Sequence, residues 1–256
     1  MELRLPIEEA TRYKSLSQRA RVVTEAWAER SIFCPACPSS NVARARNNTE
    51  AFDFRCSECG ARYQLKASSR PITGKIFDAG YEAMMRAIRH DALPHFLVLR
   101  YDIDVVSDLL LIPSFSLSSS AIEPRKPLSP NARRAGWVGC NILTTLVPPE
   151  CRIYIVESGQ VMPRTIVRSQ FKHVAELSNL PPSSRGWTLD VLTSLRKLGK
   201  RVFTLGDAYA TEGEMARLHP QNRHVREKIR QQLQVLRDLG YLWFKERAVY
   251  EFTEHA

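Results

Sequence analysis

Two pairs of cysteines near the start of the chain constrain its fold more than any other feature. Cys34 and Cys37 stand in the motif CPAC, Cys56 and Cys59 stand in CSEC, and 18 residues (38–55) separate the pairs. Two C-x-x-C pairs at this spacing are typical of a zinc site. Because four thiolates would fill the tetrahedral coordination of the ion, no position is left for water, and the sequence predicts structural zinc. Chance spacing of buried cysteines is the alternative.

The two remaining cysteines and the apolar pattern bear on the cellular compartment. Cys140 and Cys151 have no partner at metal-ligand spacing, and we expect them to be small buried apolar residues. The sequence begins without a signal-peptide core, and no run of 18 apolar residues occurs in it. We therefore expect a cytoplasmic protein without a membrane partner, in which six cysteines do not form a disulfide framework.

The charge of the chain points to its partner. A formal net charge of +10 and a pI near 9.5 exceed what solubility requires and favour a polyanionic partner, most often nucleic acid. A basic protein that binds no polyanion is the alternative, because net charge does not say where the charges lie.

Alternating helical and apolar segments predict an α/β fold with a mixed sheet up to about residue 180. Helical spacing covers Glu8 to Arg30, with Ala20, Val23, Ala26 and Trp27 as core candidates, and 81–90 predicts a second helix. The segments HFLVLRY, DLLLIP and RIYIVES predict buried strands. The run NLPPSSRGW (179–187) has the composition of a linker. We therefore expect one domain over 1–181 and a second over 182–256.

The second domain has the element order of a winged helix-turn-helix. Helices are predicted for TLDVLTSLRKLG, for a segment that starts in FTLGDAYA, and for NRHVREKIRQQLQVLRDLG, with Gly199 and Gly240 at two of the ends. The segment YLWFKERAVYEF predicts a hairpin with a charged turn at Lys245, Glu246 and Arg247.

A second pattern overlaps the second cysteine pair. Asp53 precedes it, and Gln64 and Lys66 follow it at alternate positions, so that a strand would turn both side chains to one face. A nuclease that uses Mg²⁺ requires oxygen ligands for a hard cation and a basic group near the attacking water. Asp53, Gln64 and Lys66 meet this requirement, with the Leu65 carbonyl as a further ligand. Three solvated polar residues on a hairpin are the alternative.

Longer phrases carry a resemblance to a known family. The order C-x-x-C, D-F-x-C-x-x-C and Gln-x-Lys, followed by RKPLSPNARRAGWVGCNI and by SSRGWT and HVREKIRQQLQVLRDLG, resembles that of DpnI-type adenine-methylation-dependent restriction endonucleases. The resemblance covers nearly the whole chain. It implies a PD-(D/E)xK nuclease domain that holds an inserted four-cysteine zinc site, followed by a winged helix-turn-helix domain. It also implies that both domains read adenine-methylated GATC in double-stranded DNA, and that cleavage depends on Mg²⁺.

By this resemblance Cys34, Cys37, Cys56 and Cys59 hold zinc, Asp53 holds Mg²⁺, and Lys66 orients or deprotonates the attacking water. One departure from the family pattern is Gln64, since glutamate is usual at this position. A neutral ligand weakens a site that binds Mg²⁺ through charge, unless another carboxylate contributes. Glu25 on the first helix is the nearest candidate, and a solvated glutamate on a helix face is the alternative.

Residues that read DNA are expected in both domains. An N6-methyl group lies in the major groove and requires apolar surface, which Trp137 would supply between the cations Arg133 and Arg134 and the permissive Gly136. From the residues alone a buried core tryptophan is the alternative, and the resemblance favours the methyl contact. In the long helix Val225, Ile229, Leu233 and Leu236 form the core stripe. DNA contacts are expected at and before the start of this helix, from Asn222, Arg223, His224 and Lys228.

Taken together, the sequence predicts a two-domain, monomeric type II restriction endonuclease that cleaves adenine-methylated GATC in duplex DNA with catalytic Mg²⁺ and structural Zn²⁺. A zinc-containing winged-helix protein that binds methylated DNA but is inactive because of Gln64 is the second hypothesis. A transcriptional regulator indifferent to methylation is the third.

Overall fold

The structure is a computed structural model of the 256-residue chain and describes residues 1–46, 52–72 and 74–253. Two compact units divide it, and each is built from separate segments of the chain. The first unit consists of Met1–Ile76, Ala92–Ser114 and Cys151–Ala175. The second consists of Phe77–Asp91, Phe115–Glu150 and Glu176–Ala256. The boundary after residue 181 stays a prediction, because the compact units do not follow a single cut.

The element bounds are as follows. The helices are α1 Leu16–Ser31, α2 Tyr81–Arg89, α3 Arg164–Ala175, α4 Pro182–Lys197, α5 Leu205–Tyr209, α6 Glu212–Leu218 and α7 Val225–Asp238. The strands are β1 Ala43–Arg44, β2 Phe54–Arg55, β3 Arg62–Ser68, β4 Lys75–Gly80, β5 His95–Asp102, β6 Val105–Ile112, β7 Ile122–Pro124, β8 Gly139–Leu143, β9 Ile153–Glu157, β10 Gln160–Val161, β11 Val202–Thr204, β12 Leu242–Glu246 and β13 Val249–Phe252.

The first unit is built on a seven-stranded sheet in the order β1-β2-β3-β5-β6-β9-β10. Strands β3 and β5 are parallel, and the pairs on either side of them are antiparallel, so the sheet is mixed as predicted. The central strands carry continuous apolar runs, because α1 packs against β3 and α3 packs against β9. All three predicted buried strands are present.

The first helix is shorter than its apolar spacing predicts. A 3-10 turn covers Ile7–Ala10, and α1 begins only after Ser15, whose extended backbone makes it the N-cap residue. Val23, Ala26 and Trp27 are buried as expected, whereas Ala20 is half-buried. The spacing therefore identified the buried face correctly but placed the helix start too early.

A small three-stranded sheet has the order β4-β8-β7. It belongs to the second unit, whose first segment begins at Phe77 within β4. Strands β7 and β8 are antiparallel, and α2 packs against both. The segment 125–138, which contains the predicted methyl-reading residues, joins these two strands.

The last part of the second unit has the predicted winged helix-turn-helix order. Helix α4 and the short strand β11 are followed by α5, α6 and α7, and then by the hairpin of β12 and β13. The three strands form a sheet in the order β11-β13-β12. The hairpin turn differs from the prediction, since Lys245 and Glu246 lie in β12 and the turn falls at Arg247 and Ala248, where Ala248 has a φ of 61°.

The linker prediction for 179–187 is wrong over most of its length. Helix α4 begins at Pro182, because proline needs no N–H partner in the first helical turn and its φ is already helical. Arg185 is 4% exposed; it donates to the Leu180 carbonyl at 3.0 Å and pairs with Asp91. Prolines and serines thus begin a buried helix here. None of the helices described is long and apolar enough to cross a membrane.

Candidate active site and zinc centre

The four predicted cysteines come together in the first unit. Cys34 and Cys37 lie in the turn after α1, and Cys56 and Cys59 lie in the turn between β2 and β3. All four Sγ atoms lie within 4.8 Å of one another, and the pairs Cys34–Cys59 and Cys37–Cys56 are each 3.6 Å apart. Four sulfurs at about 2.3 Å from a tetrahedral zinc ion are separated by about 3.8 Å. The donor set therefore fits zinc.

The surroundings shift the pKa values of the cysteines in different directions. Burial works against ionisation of Cys56, but the backbone N–H groups of Cys59 and Glu58 and the neighbouring cysteines lower its pKa to about 6. Burial raises the pKa of Cys34 and of Cys59, and at Cys34 the hydrogen bond with Tyr63 opposes this rise. The Tyr63 hydroxyl lies 3.1 Å from Cys34 Sγ; when Cys34 holds zinc as a thiolate it can only accept, so the hydroxyl is then the donor.

Helix α3 holds the first cysteine turn in place. Arg168 donates to the Cys34 carbonyl at 3.2 Å and to the Ser39 carbonyl at 2.8 Å. The guanidinium groups of Arg164 and Arg168 both lie over the Phe33 ring, at 5.2 and 5.3 Å from its centroid. Residues outside the motif thus fix the backbone that carries it.

Asp53 is placed by the same hairpin that carries the second cysteine pair. Its N–H donates to the Tyr63 carbonyl and its carbonyl accepts from Ala45, both at 2.8 Å. Its carboxylate accepts the Leu65 N–H at 2.8 Å. The Asp53 pKa is raised, first by burial and then by repulsion from Glu25, while Leu65, Lys66 and Arg21 act in the opposite direction.

Strand β3 presents the Gln-x-Lys pair beside Asp53. Gln64 and Lys66 are half-buried and, being two residues apart on a strand, face the same side of the sheet. Lys66 interacts electrostatically with the Asp53 carboxylate. Because the N–H and carbonyl of one strand residue face the same edge, the Leu65 carbonyl lies on the edge to which Asp53 is bonded. Asp53, Lys66 and the Leu65 backbone are therefore brought together, with Gln64 adjacent on the strand.

Glu25 is not the solvated helix-face residue that the sequence offered as the alternative. It is 6% exposed, and its carboxylate pairs with Arg21 at 2.6 Å and also with Arg44. Helix α1 packs against β3, which brings Glu25 close enough to raise the pKa of Asp53. A second carboxylate is thus present at this end of β3, where two arginines balance its charge.

The loop with the predicted methyl-reading residues lies in the second unit. Arg133, Arg134 and Gly136 are exposed and Trp137 is half-buried, so Trp137 is not a core tryptophan. Backbone bonds from Leu128 to the Trp137 carbonyl (2.9 Å) and from Gly136 to the Leu128 carbonyl (3.1 Å) close the loop. Gly136 has a φ of +76°, a conformation that favours glycine.

The residues around the start of α7 are arranged as a helix-turn-helix requires. The core stripe of α7 is buried, at Val225, Ile229, Leu233 and Leu236. His224 is the N-cap residue, and its N–H donates to the Asn222 side chain at 2.8 Å. Arg223 and His224 are exposed, while Asn222 and Lys228 are half-buried; Lys228 donates to Gln231 at 2.8 Å.

Sequence reasoning missed Tyr63 and Arg168, which contact the cysteine turns. For Tyr63 a signal was present, because it precedes Gln64 on the strand and must face the opposite side. For Arg168 there was none, since it is 129 and 134 positions from its two acceptors. Cys140 and Cys151 are buried, as expected.

Comparison with known protein families identifies both parts of the chain. The model of the DpnI Dam-replacing family matches residues 1–180. The model of the DpnI C-terminal Dam-replacing HTH domain matches residues 183–252. These matches, with the mixed α/β sheet, the helix-turn-helix and the cysteine cluster, show a DNA-acting protein of this architecture. The chain belongs to the DpnI Dam-replacing family.

Proposed function

We propose that the chain is an endonuclease that hydrolyses phosphodiester bonds of duplex DNA at adenine-methylated GATC sites in the presence of Mg²⁺. The observation that carries the proposal is the meeting of Asp53, the Leu65 backbone and Lys66 on the hairpin that also bears two of the four clustered cysteines. Membership of a family of DNA-acting proteins supports it.

Oxygen atoms at this end of β3 would hold the ion. Asp53 supplies a carboxylate, Gln64 an amide oxygen and Leu65 a carbonyl, which are the donors that Mg²⁺ prefers. When bound, the ion supplies positive charge that stabilises the developing charge on the phosphate. Glu25 is a second carboxylate buried near Asp53, and it would serve as a ligand only on leaving one of its partners Arg21 and Arg44.

Lys66 acts on the attacking water. Its position on the same face as Gln64 lets its ammonium group orient the water or, once it has released its own proton to solvent, accept the proton of the water. The oxygen of the water forms a bond to phosphorus as the bond to the leaving oxygen breaks, and the leaving oxygen keeps the electron pair and takes a proton from solvent. Asp53 must be ionised to act as a ligand, and a bound cation favours the ionised form, which opposes the effect of burial on its pKa.

Two surfaces would read the DNA. Trp137 offers apolar surface to the N6-methyl group in the major groove, with the exposed Arg133 and Arg134 beside it for phosphates. In the helix-turn-helix, Asn222, Arg223, His224 and Lys228 lie at the end of α7 that reaches base edges in such domains.

Digestion of one plasmid, prepared with and without adenine methylation at GATC, tests the proposal in Mg²⁺ and in EDTA. We expect cleavage of the methylated plasmid in Mg²⁺ only. Asp53→Ala and Lys66→Ala should abolish it while leaving the circular dichroism spectrum and zinc content unchanged. A Lys66→Ala protein that cuts at the wild-type rate would overturn the assignment.

Gln64 favours a second function, that of a methylated-DNA reader without nuclease activity. On this alternative the wild type shifts methylated duplex in a gel but does not cleave it. Gln64→Glu then separates the two, because one added negative charge near the cation contributes at least about 1 kcal/mol even in water. If Gln64 is compatible with activity, the variant should need roughly tenfold less Mg²⁺ for half-maximal cleavage. If wild type is inactive, only the variant should cleave.

A further inference from the structure

Two glycines border the Trp137 side chain, and neither is required by its backbone conformation. Gly139 begins β8, and Gly80 ends β4 with φ −68° and ψ 132°. Neither has a positive φ, in contrast to Gly136 in the same loop. Glycine inside a strand is destabilising by about 0.5–1 kcal/mol relative to alanine. A strand glycine of this kind commonly marks a place where another group approaches closely.

The group that approaches both glycines is the indole of Trp137. A Cβ atom on Gly139 would lie 3.0 Å from Cζ3 and 3.1 Å from Cη2 of Trp137. A Cβ atom on Gly80 would lie 3.4 Å from Nε1 and 3.9 Å from Cε2 and Cζ2. The Gly139 distances are shorter than ordinary contacts, so the ring requires a glycine there, whereas a Cβ atom on Gly80 would make ordinary contacts with the ring.

Gly80 has another role, which accounts for it without Trp137. It is the N-cap of α2 and makes no side-chain cap hydrogen bond. Glycine is itself among the residues preferred at this position, and it differs from serine, threonine, asparagine or aspartate by only roughly a few tenths of a kcal/mol. The indole of Trp137 therefore does not require a glycine at residue 80.

Gly139 also lies next to a cation. The Cβ position of Gly139 lies 3.5 Å from Cδ of Arg125, whose guanidinium group lies over the ring of Phe77 at 5.1 Å from its centroid. Phe77 is 65% exposed. Trp137, Arg125 and Phe77 therefore form one aromatic and cationic surface around Gly139.

We infer that Gly139 is a positioning residue for the reading of N6-methyladenine, because the absence of a side chain there fixes where the Trp137 indole lies. The inference rests on the proposed role of Trp137 as the methyl contact. A Cβ atom on Gly139 displaces the ring by a few tenths of an ångström, whereas one on Gly80 requires no displacement. A methyl group is recognised by close contact, so a displaced ring loses recognition of the methyl group while phosphate contacts persist.

The test measures dissociation constants of the full-length protein by fluorescence anisotropy, without divalent cation and at fixed salt. The probes are one GATC duplex with both adenines N6-methylated and the same duplex unmethylated. We expect Gly139→Ala to lower the methylated-to-unmethylated preference roughly tenfold or more, the effect of one methyl contact. Gly80→Ala, whose Cβ atom would fit without displacing the ring, should leave the preference unchanged. Affinity for the unmethylated duplex should change less than about twofold.

Two further variants serve as a control and as a test of the Trp137 ring itself. Gly213→Ala is the matched control, because a Cβ atom there meets no atom within 4 Å, and the preference should not change. Trp137→Ala should remove the same preference, and adding Gly139→Ala to it should have no further effect, since both act through one ring.

The outcomes separate the inference from the proposal on which it rests. If Trp137→Ala keeps the full preference, Trp137 is not the methyl contact and the proposed reading is wrong. If Trp137→Ala loses the preference but Gly139→Ala keeps it, the positioning role is overturned and the methyl contact stands. Equal losses of affinity for both duplexes in Gly139→Ala would indicate a structural effect and also overturn the inference.

Discussion

At the scale of single residues, the effect of an ionised Asp53 on the free energy of unfolding can be measured directly. Its pKa is raised chiefly by burial and secondly by Glu25. A carboxyl group with a higher pKa in the folded chain binds more protons when folded, so stability falls as pH rises from the unfolded to the folded pKa. Metal-free protein therefore carries a penalty at neutral pH that disappears below the ordinary aspartate pKa.

Asp53→Asn should remove this penalty. Asparagine keeps an acceptor for the Leu65 N–H and carries no charge, so we expect the metal-free variant to be more stable than wild type at neutral pH. The gain should vanish below the ordinary aspartate pKa, and added Mg²⁺ should stabilise wild type only. Urea unfolding at the two pH values measures this. Asp238→Asn is the control, because the pKa of Asp238 is lowered and the substitution should give no gain in stability. An Asp53→Asn protein that is less stable than wild type at neutral pH would contradict the argument.

A site residue could be predicted from the sequence when the residues that it contacts lie close to it in the chain. The cysteines, Asp53 and Lys66 lie within one hairpin and the turn before it, so spacing and strand alternation were sufficient. The burial of Glu25 was not predictable, because it depends on Arg44 from another element and on the packing of α1 against β3. The proposed role of Gly139 was not predictable either, since it depends on where the Trp137 ring lies.

At the scale of elements, the β2–β3 hairpin joins the cysteine cluster to the candidate active site through Tyr63. The side chain of Tyr63 donates to Cys34 Sγ at 3.1 Å, and its carbonyl accepts the Asp53 N–H at 2.8 Å. Partners of metal ligands raise metal affinity about 10- to 100-fold. Loss of the hydroxyl should therefore weaken zinc binding and leave the backbone bond intact.

Tyr63→Phe is the change that tests this. We expect zinc affinity, measured by competition with a chromophoric chelator, to fall about 10- to 100-fold. At saturating zinc the fold should be that of wild type, because phenylalanine preserves the buried ring. Tyr13→Phe serves as control, since the Tyr13 hydroxyl contacts Arg12 and no cysteine. Equal zinc affinities of Tyr63→Phe and wild type would show that the hydroxyl does not support the ligand.

A second element-scale prediction concerns the start of α5. Thr204 accepts the Asp207 N–H at 3.1 Å, and the Asp207 carboxylate accepts the Thr204 N–H at 2.8 Å, which is a capping box. Thr204→Ala should lower the free energy of unfolding by about 1 kcal/mol. Ser15 is the N-cap of α1 but makes no cap hydrogen bond, so Ser15→Ala should cost less than about 0.5 kcal/mol. Equal effects in denaturant unfolding would contradict this account.

Elements with a clear apolar pattern were predicted well, whereas elements whose bounds depend on tertiary packing were not. The runs HFLVLRY and DLLLIP became β5 and β6 because strands covered on both faces must be apolar throughout. The start of α4 was misread because prolines and serines favour both loops and the first turn of a helix. Burial of Arg185 against Asp91 selects the helix, and that contact joins residues 94 positions apart.

At the scale of the whole molecule, the division into units was the hardest property to predict. Phe77–Asp91 and Phe115–Glu150 belong to the same compact unit as the C-terminal helices. A linker-like composition marks a domain boundary only where the chain passes once from one unit to the other. In this protein the chain passes between the two units several times. The family matches, in contrast, follow the sequence, with one model ending at 180 and the other starting at 183.

The net charge of +10 could favour DNA binding in two ways, through cations at specific positions or through the total charge of the protein. Each phosphate contact releases condensed counterions, so the slope of log K against log salt changes by about 0.9 per contact. If Arg133 and Arg134, both exposed beside Trp137, contact phosphates, Arg133→Ala and Arg134→Ala should each reduce the slope by about 0.9 on methylated and unmethylated duplexes alike. Lys14→Ala removes the same charge from an exposed residue outside the proposed contacts and should leave the slope unchanged. Equal reductions in all three variants would mean that total charge, and not the loop, determines the salt dependence.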